Sequence, residues 1–111
     1  MSTDSGETDS ADLTITAGGS GRYYVASAVI AIRAGHVNLS GTFKFYFDGS
    51  VIETETRSTG QVAAGQPRII FNQTVTNPAA SAKVFKVSVE GGGSGSCSLD
   101  IAISIREIYT S

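Results

Sequence analysis

The side chains able to do acid–base chemistry or to bind a metal are few and scattered in this sequence of 111 residues. His36 is the single histidine, and no serine lies in the G-x-S-x-G motif that presents a nucleophile. Glu53 and Glu55 share one face of a predicted strand, where an ion pair with Lys44 is favoured over a metal site that needs clustered ligands. We therefore predict no catalytic residue, no metal site and no cofactor, and we expect that the protein is not an enzyme.

Thiol and phosphate chemistry are not predicted either. Cys97 is the single cysteine, so an intrachain disulfide is excluded, and no basic residue near it in sequence would lower its pKa. The glycine-rich segments at residues 18–21 and 91–96 lack the Gly-Lys-Ser/Thr ending of a phosphate-binding loop, and no predicted helix follows them. Both segments are typical of flexible connections.

Aromatic side chains give the better indication of a binding surface. The chain has four tyrosines and no tryptophan. We predict one exposed apolar patch that forms an oligomer or partner interface, because such patches mark contact surfaces. Its residues are Tyr23, Val25, Val29, Tyr46 and Val51. Sugar binding by the tyrosines is the alternative use of these residues, so a glycan stays a possible partner.

These side chains must be positioned by strands. Apolar and polar residues alternate with a period of two in several segments, which predicts strands with one buried face. Strands are predicted at residues 13–16, 22–34, 37–47, 50–56, 68–76, 83–90 and 97–109. Seven or eight short strands without a helix predict an all-β fold, an antiparallel β-sandwich of jelly-roll type. Ile108 breaks the alternation of the last strand, which predicts a bulge near Glu107.

Residues 37–56 are predicted to form a β-hairpin around which the other strands are arranged. Asp48-Gly49 separates two alternating runs and favours a two-residue type I′ turn, which needs positive φ at both central residues. That turn pairs Phe45 with Ile52 and Lys44 with Glu53. A slip of one residue would place Phe45 opposite Glu53 and bury a carboxylate beside a phenylalanine, so we predict the unslipped register.

Residues 22–34 form a predicted strand that is apolar on both faces, which indicates that both faces are covered. In a small antiparallel domain one face meets the core, and the second face needs the chain's own arm or another subunit. Residues 1–11 are predicted to form a flexible acidic arm, and residues 12–111 a single domain. A helix is the rival prediction for residues 22–34, but their β-branched and aromatic content favours a strand.

Charge and hydropathy exclude several partners. The formal net charge is −2, and four of the ten acidic residues lie in the first twelve positions. The rest of the chain has too few clustered bases for nucleic-acid binding. No secretory signal is recognisable at the start, and the longest apolar run, residues 23–32, is about half the length of a membrane span. We expect no membrane partner and a protein that folds in a reducing cytoplasm.

The order of these features resembles a known class of proteins. An apolar strand, YYVASA at residues 23–28, precedes GTFKFYFDG at residues 41–49, a polar return strand, a Gly-Ser-rich turn and a last strand ending IREIY. This resembles small jelly-roll virion proteins of tailed phages: head decoration or cement proteins, and fibre or baseplate modules. Their architecture is similar to the tumour-necrosis-factor-like jelly roll, which implies a homotrimer.

The resemblance implies a structural virion protein that binds a phage capsid or tail and reinforces it or displays a surface. A carbohydrate-binding, lectin-like adhesion module is the alternative function. A lipocalin-like or cupin-like barrel with a small ligand is a third, although cupin chemistry uses several histidines and the chain has one.

Overall fold

The computed structural model describes residues 7–34, 39–63, 65–76, 78–93 and 98–109. These residues form seven strands and no helix, and thus include no helix long and apolar enough to cross a membrane. The strands are β1 (Glu7–Thr16), β2 (Arg22–Ala34), β3 (Leu39–Phe47), β4 (Ser50–Arg57), β5 (Ile69–Thr76), β6 (Ala82–Gly93) and β7 (Ser98–Tyr109). The predicted all-β class is confirmed.

Two antiparallel sheets pack face to face as a β-sandwich. One sheet has the order β1-β6-β3-β4, and the other has the order β5-β2-β7. The hairpin β3–β4 is the innermost of three nested pairs, followed by β2–β5 and then β1–β6. Successive pairs alternate between the two sheets, as in a long hairpin rolled up into a jelly roll. The last strand, β7, adds to β2 on the side opposite β5.

The core lies between the sheets and combines large and small side chains. Phe45 of β3 and Phe71 of β5 stack across the two sheets, with ring centroids 5.8 Å apart and planes 8° apart. The ring centroid of Phe85 of β6 lies 5.9 Å from that of Phe45. On the central strand β2, Ala26 and Ala28 are fully buried, and their short side chains leave room for these rings. This packing explains why β2 has two alanines in succession on its inner face.

The hairpin turn is confirmed, but the predicted register is wrong. Asp48 and Gly49 both have positive φ, 50° and 87°, as a type I′ turn requires. Pairing slips by one residue between Phe45 and Tyr46, so Ile52 bulges and Phe45 lies opposite Glu53. Lys44 consequently lies opposite Thr54, not Glu53.

The carboxylates are tolerated because β4 is an edge strand. Glu53 reaches across the edge of the sandwich, where it accepts hydrogen bonds from the Asn72 backbone N–H and from Gln73 Nε2, both at 3.0 Å. Arg57 donates through Nε to Glu55. The desolvation penalty that argued against this register is therefore offset by charge-assisted hydrogen bonds.

The predictions of a flexible arm at residues 7–11 and of a bulge near Glu107 are not met. β1 begins at Glu7, so residues 7–11 pair with β6. Without this pairing, part of β6 would lack backbone hydrogen bonds on that side. Residues 1–6 lie outside the described residues. The pairing of β2 with β7 is continuous from Tyr109 to Leu99, so no bulge lies near Glu107.

The segment between β4 and β5 contributes to the core although its sequence predicts only a loop. Val62 is 0% exposed, and the nearby Gly60 N–H donates to the Leu39 carbonyl at 3.0 Å. A Cβ atom at Gly41 would lie 3.2 Å from the Phe43 ring and 3.5 Å from Val62, so glycine lets this segment pack closely on β3.

Glu53→Ala removes the acceptor for two hydrogen bonds that link the sheets. We expect the free energy of unfolding to fall by about 1–3 kcal/mol, because a backbone N–H and an amide lose a charged partner. Urea denaturation followed by circular dichroism measures the change. Thr54→Ala, at the next and exposed position, is the matched control. Equal effects of the two substitutions would contradict this role of Glu53.

Candidate interaction surfaces

The five residues predicted to form one interface lie on opposite sides of the sandwich. Tyr23, Val25 and Val29 are on the outer side of the three-stranded sheet, since the intervening residues of β2 face the core. Tyr46 and Val51 are paired with each other on the outer side of the four-stranded sheet. The structure therefore does not join the two groups in one patch.

The outer side of β5-β2-β7, hereafter the three-stranded face, carries the larger apolar surface. Val29 is flanked by Ile70 of β5 and Ala102 of β7, and Ile70 is 57% exposed. Tyr23 pairs with Ile108 at the far end of the same face. The rows between them are polar, with Ser27 flanked by serine and asparagine.

Three of these residues were missed in the sequence. Ile70, Ala102 and Ile108 lie on strands that were read as having one apolar and one polar face. The run Ile69-Ile70-Phe71 was the available indication, because three consecutive apolar residues on a strand must place at least one on each face. Ile108 stays in phase with the outer residues of β7, and it lies outward because Glu107 occupies the inner position.

The outer side of the four-stranded sheet is more polar. Tyr46 lies between Val51 of β4 and Lys86 of β6, and Lys86 Nζ is 4.6 Å from the centroid of the Tyr46 ring. This cation–π contact occupies one face of the ring. Val51 is 48% exposed.

A shallow polar cavity of about 190 Å³ lies farther along the same outer side. It is lined by Ser40, Gly41, Thr42, Thr56, Arg57, Glu90 and Gly91. The lining therefore includes three residues with hydroxyl groups, one acidic residue and one basic residue.

A hydrogen-bonded cluster closes one end of the sandwich. The Tyr24 hydroxyl donates to Glu107 Oε2 at 2.6 Å and accepts from the Gly18 N–H at 3.0 Å. Arg22 Nη1 lies 3.4 Å from the same carboxylate oxygen, and its guanidinium lies 4.6 Å from the Tyr109 ring centroid. The hydrogen bond from Tyr24 lowers the pKa of Glu107, and the hydrogen bond to Glu107 raises the pKa of Tyr24.

The described residues offer little for catalysis. No three of their His, Cys, Asp and Glu side chains lie close enough together to hold a metal ion. His36 and Cys97 lie outside the part of the chain that the structure describes. Glu53 and Glu55 are engaged in the hydrogen bonds that close the β4 edge.

Comparisons with known proteins give little more. No family model matches the chain, and no curated protein matches it. Among solved structures, the chain is similar to a chain from the structure of infectious bursal disease virus, Gx strain, with 14% sequence identity and a TM-score of 0.47. The match covers 98% of this chain and 31% of that one, so this chain spans about a third of its length. A likeness at this level carries no functional argument.

Tyr24→Phe tests the cluster through its pH dependence. Because the folded-state pKa of Glu107 is lowered, its contribution to stability is present above the ordinary pKa of 4.5 and is lost as the pH falls through the lowered value. We expect Tyr24→Phe to lower the urea midpoint at neutral pH, and by less in acid once Glu107 is protonated.

The control is Tyr109→Phe, which removes a hydroxyl from a residue that is 63% exposed. Urea unfolding of all three proteins at neutral and acidic pH gives the comparison. A Tyr24→Phe effect that does not change with pH would contradict the coupling to Glu107.

Proposed function

We propose that the protein is a non-enzymatic structural subunit of a virion: a decoration or cement subunit, or a fibre module, that binds a phage capsid or tail. The observation that carries the proposal is the row Ala102–Val29–Ile70 on the three-stranded face. It places three aliphatic side chains side by side on the outer surface of a small sandwich, where an interface is the expected use.

The architecture supports the same proposal. Double-sheet jelly rolls are common in viral capsid and lectin domains, because the closed sandwich presents broad faces for contact with neighbours. The inner residues Ala26, Ala28 and Ile30 of β2 are fully buried, whereas the outer residues of the same strand are only half-buried. A partner that covers these outer residues is the use that we propose for this face.

The proposed partners are further copies of the chain and a larger virion assembly. We expect a homotrimer of the tumour-necrosis-factor-like type, formed in the host cytoplasm and then incorporated into the virion. Neither nucleic acid nor a membrane is a proposed partner.

Immunogold labelling tests the virion role. Antibodies raised against the purified protein are applied to particles isolated on a density gradient from the source culture. We expect gold on the particles and the protein in the same gradient fractions. Protein found only in the particle-free fractions would contradict the proposal.

Ile70→Asp tests the face that is proposed to bind. A carboxylate at the β5 end of the apolar row must be desolvated on assembly, so we expect loss of the contact through the three-stranded face and a lower mass, with little change in the urea midpoint. Light scattering after size-exclusion chromatography measures the mass. Asn72→Asp, the next outward residue of β5, is the matched control. Equal masses for wild type and Ile70→Asp would show that this face is not the interface.

Carbohydrate binding is the second candidate, and the polar cavity near Arg57 and Glu90 is the observation that favours it. Hydroxyl and charged groups in a shallow depression suit a sugar, although the Tyr46 ring already carries Lys86 on one face. Glycan-array binding that is abolished by Tyr46→Ala would favour this function over the structural one.

A further inference from the structure

The two open sides of the sandwich are built differently. On the β4/β5 side, the inward positions of β4 are occupied by Glu53, Glu55 and Arg57. Glu53 accepts a hydrogen bond from the backbone N–H of Asn72 on the edge of β5. Inward charges and occupied edge groups are devices that stop an edge strand from pairing with another chain. This side of the sandwich is therefore protected.

The β1/β7 side is lined by aliphatic residues instead. Six inward-facing side chains along it are only half-buried: Leu13, Ile15, Leu99, Ile101, Ile103 and Ile105. On the neighbouring strand β2, the inner residues paired with β7 are buried completely. The core thus extends to this edge, and none of the described strands covers it.

The topology of the described strands shows that β7 is paired on one side only. The nested pairs β3–β4, β2–β5 and β1–β6 alternate between the sheets, and β7 continues the series as one member of a fourth pair. An eight-stranded jelly roll would place the other member along the outer edge of β7. Among the described residues nothing pairs with that edge.

The sequence of β7 suits pairing with a further strand. The strand has twelve residues, and its middle, residues 101–105, reads IAISI without a charge, proline or glycine. Its register with β2 is regular over this stretch. A long edge with a regular register and an uncharged middle is a site for the addition of a strand.

We propose that two copies of this chain join along β7, antiparallel, with Ile103 opposite Ile103 of the partner subunit on a two-fold axis. In this register Asp100 lies opposite Arg106 of the partner subunit, and the symmetry repeats the pair. Residues 101 and 105 also lie opposite each other, so isoleucine meets isoleucine on the inner side. The three-stranded sheets become one six-stranded sheet.

Charge complementarity favours a second copy over a foreign strand. Asp100 and Arg106 are both exposed on the outer side of β7, three residues to either side of Ile103. The existing ion pair of Asp100 with Arg33 is itself exposed, with side chains 61% and 68% accessible, so it can be shared or exchanged at little cost. An unrelated strand would have to supply both opposite charges at the same spacing.

The one unfavourable juxtaposition is Leu99 opposite Glu107 of the partner subunit. The Glu107 carboxylate already accepts hydrogen bonds from Tyr24 and Arg22 of its own chain, which satisfy its charge next to the new neighbour. Centring the contact on residue 102 would avoid this pair but would place Asp100 opposite serine. Two ion pairs therefore select Ile103 as the centre.

A charge exchange tests the contact in the full chain. Asp100→Arg alone places like charges opposite each other twice, so we expect dimerisation along β7 to weaken by about tenfold or more. The double variant Asp100→Arg with Arg106→Asp should restore the wild-type constant. Arg68→Asp, an exposed charge change beside the β5 edge, is the matched control. Sedimentation equilibrium gives the constants.

Cysteine cross-linking tests the register. In a Cys97→Ser background, Ile103→Cys places two thiols opposite each other at the axis, where a disulfide can form on mild oxidation. Ile101→Cys has a similar half-buried environment but faces residue 105, so it should remain unlinked. Linkage at 103 and not at 101 is the expected result.

The contact through the three-stranded face and the contact along β7 can be tested separately. Ile70→Asp should abolish the contact through the three-stranded face yet leave the dimer and the cross-link at residue 103. A wild-type chain that never associates, a double variant that does not recover, or absence of the cross-link would overturn the β7 contact. None of these results bears on the labelling of virions.

Discussion

The stack of Phe45 on Phe71 is the contact on which the rest of the sandwich depends. It joins β3 to β5 across the two sheets, and Phe85 extends it to β6. Rings of this size fit between the sheets because β2 presents alanine at the neighbouring inner positions. The inward direction of Phe43 and Phe45 then fixes which residues of every paired strand face the core.

That constraint also explains the bulge at Ile52. The type I′ turn sets Phe47 opposite Ser50, and the slip after Tyr46 moves charged residues to the inner positions of β4. On a central strand this would bury unpaired carboxylates at a cost of several kcal/mol. On an edge strand the same residues reach the neighbouring β5, and they close the open side of the sandwich while protecting two edges at once.

The sequence predicted features that local chemistry decides. Asp48-Gly49 predicted the turn, and the β-branched and aromatic run at residues 22–34 predicted β2 with the bounds that are observed. The predicted register is wrong because Glu53, opposite Phe45, has a compensating partner that lies 19 positions away in the sequence, the backbone N–H of Asn72. The five residues of the predicted patch lie on two different sheets. Alternation shows on which face of a strand a residue lies, but it does not show to which sheet that strand belongs. Tyr23 and Tyr46 are therefore similar in sequence context and opposite in space.

The strand edges that remain open to pairing decide whether copies of the chain can form a filament. An edge that pairs with a different surface of the next copy leaves the same edge open on that copy, so the contact can propagate into a filament. An edge that pairs with itself about a two-fold axis is consumed in both copies. Because the β4/β5 side is closed by Glu53 and Arg57, we assign the addition of a strand to β7 among the described strands. A two-fold contact there closes on itself, so pairing along β7 does not propagate into a filament.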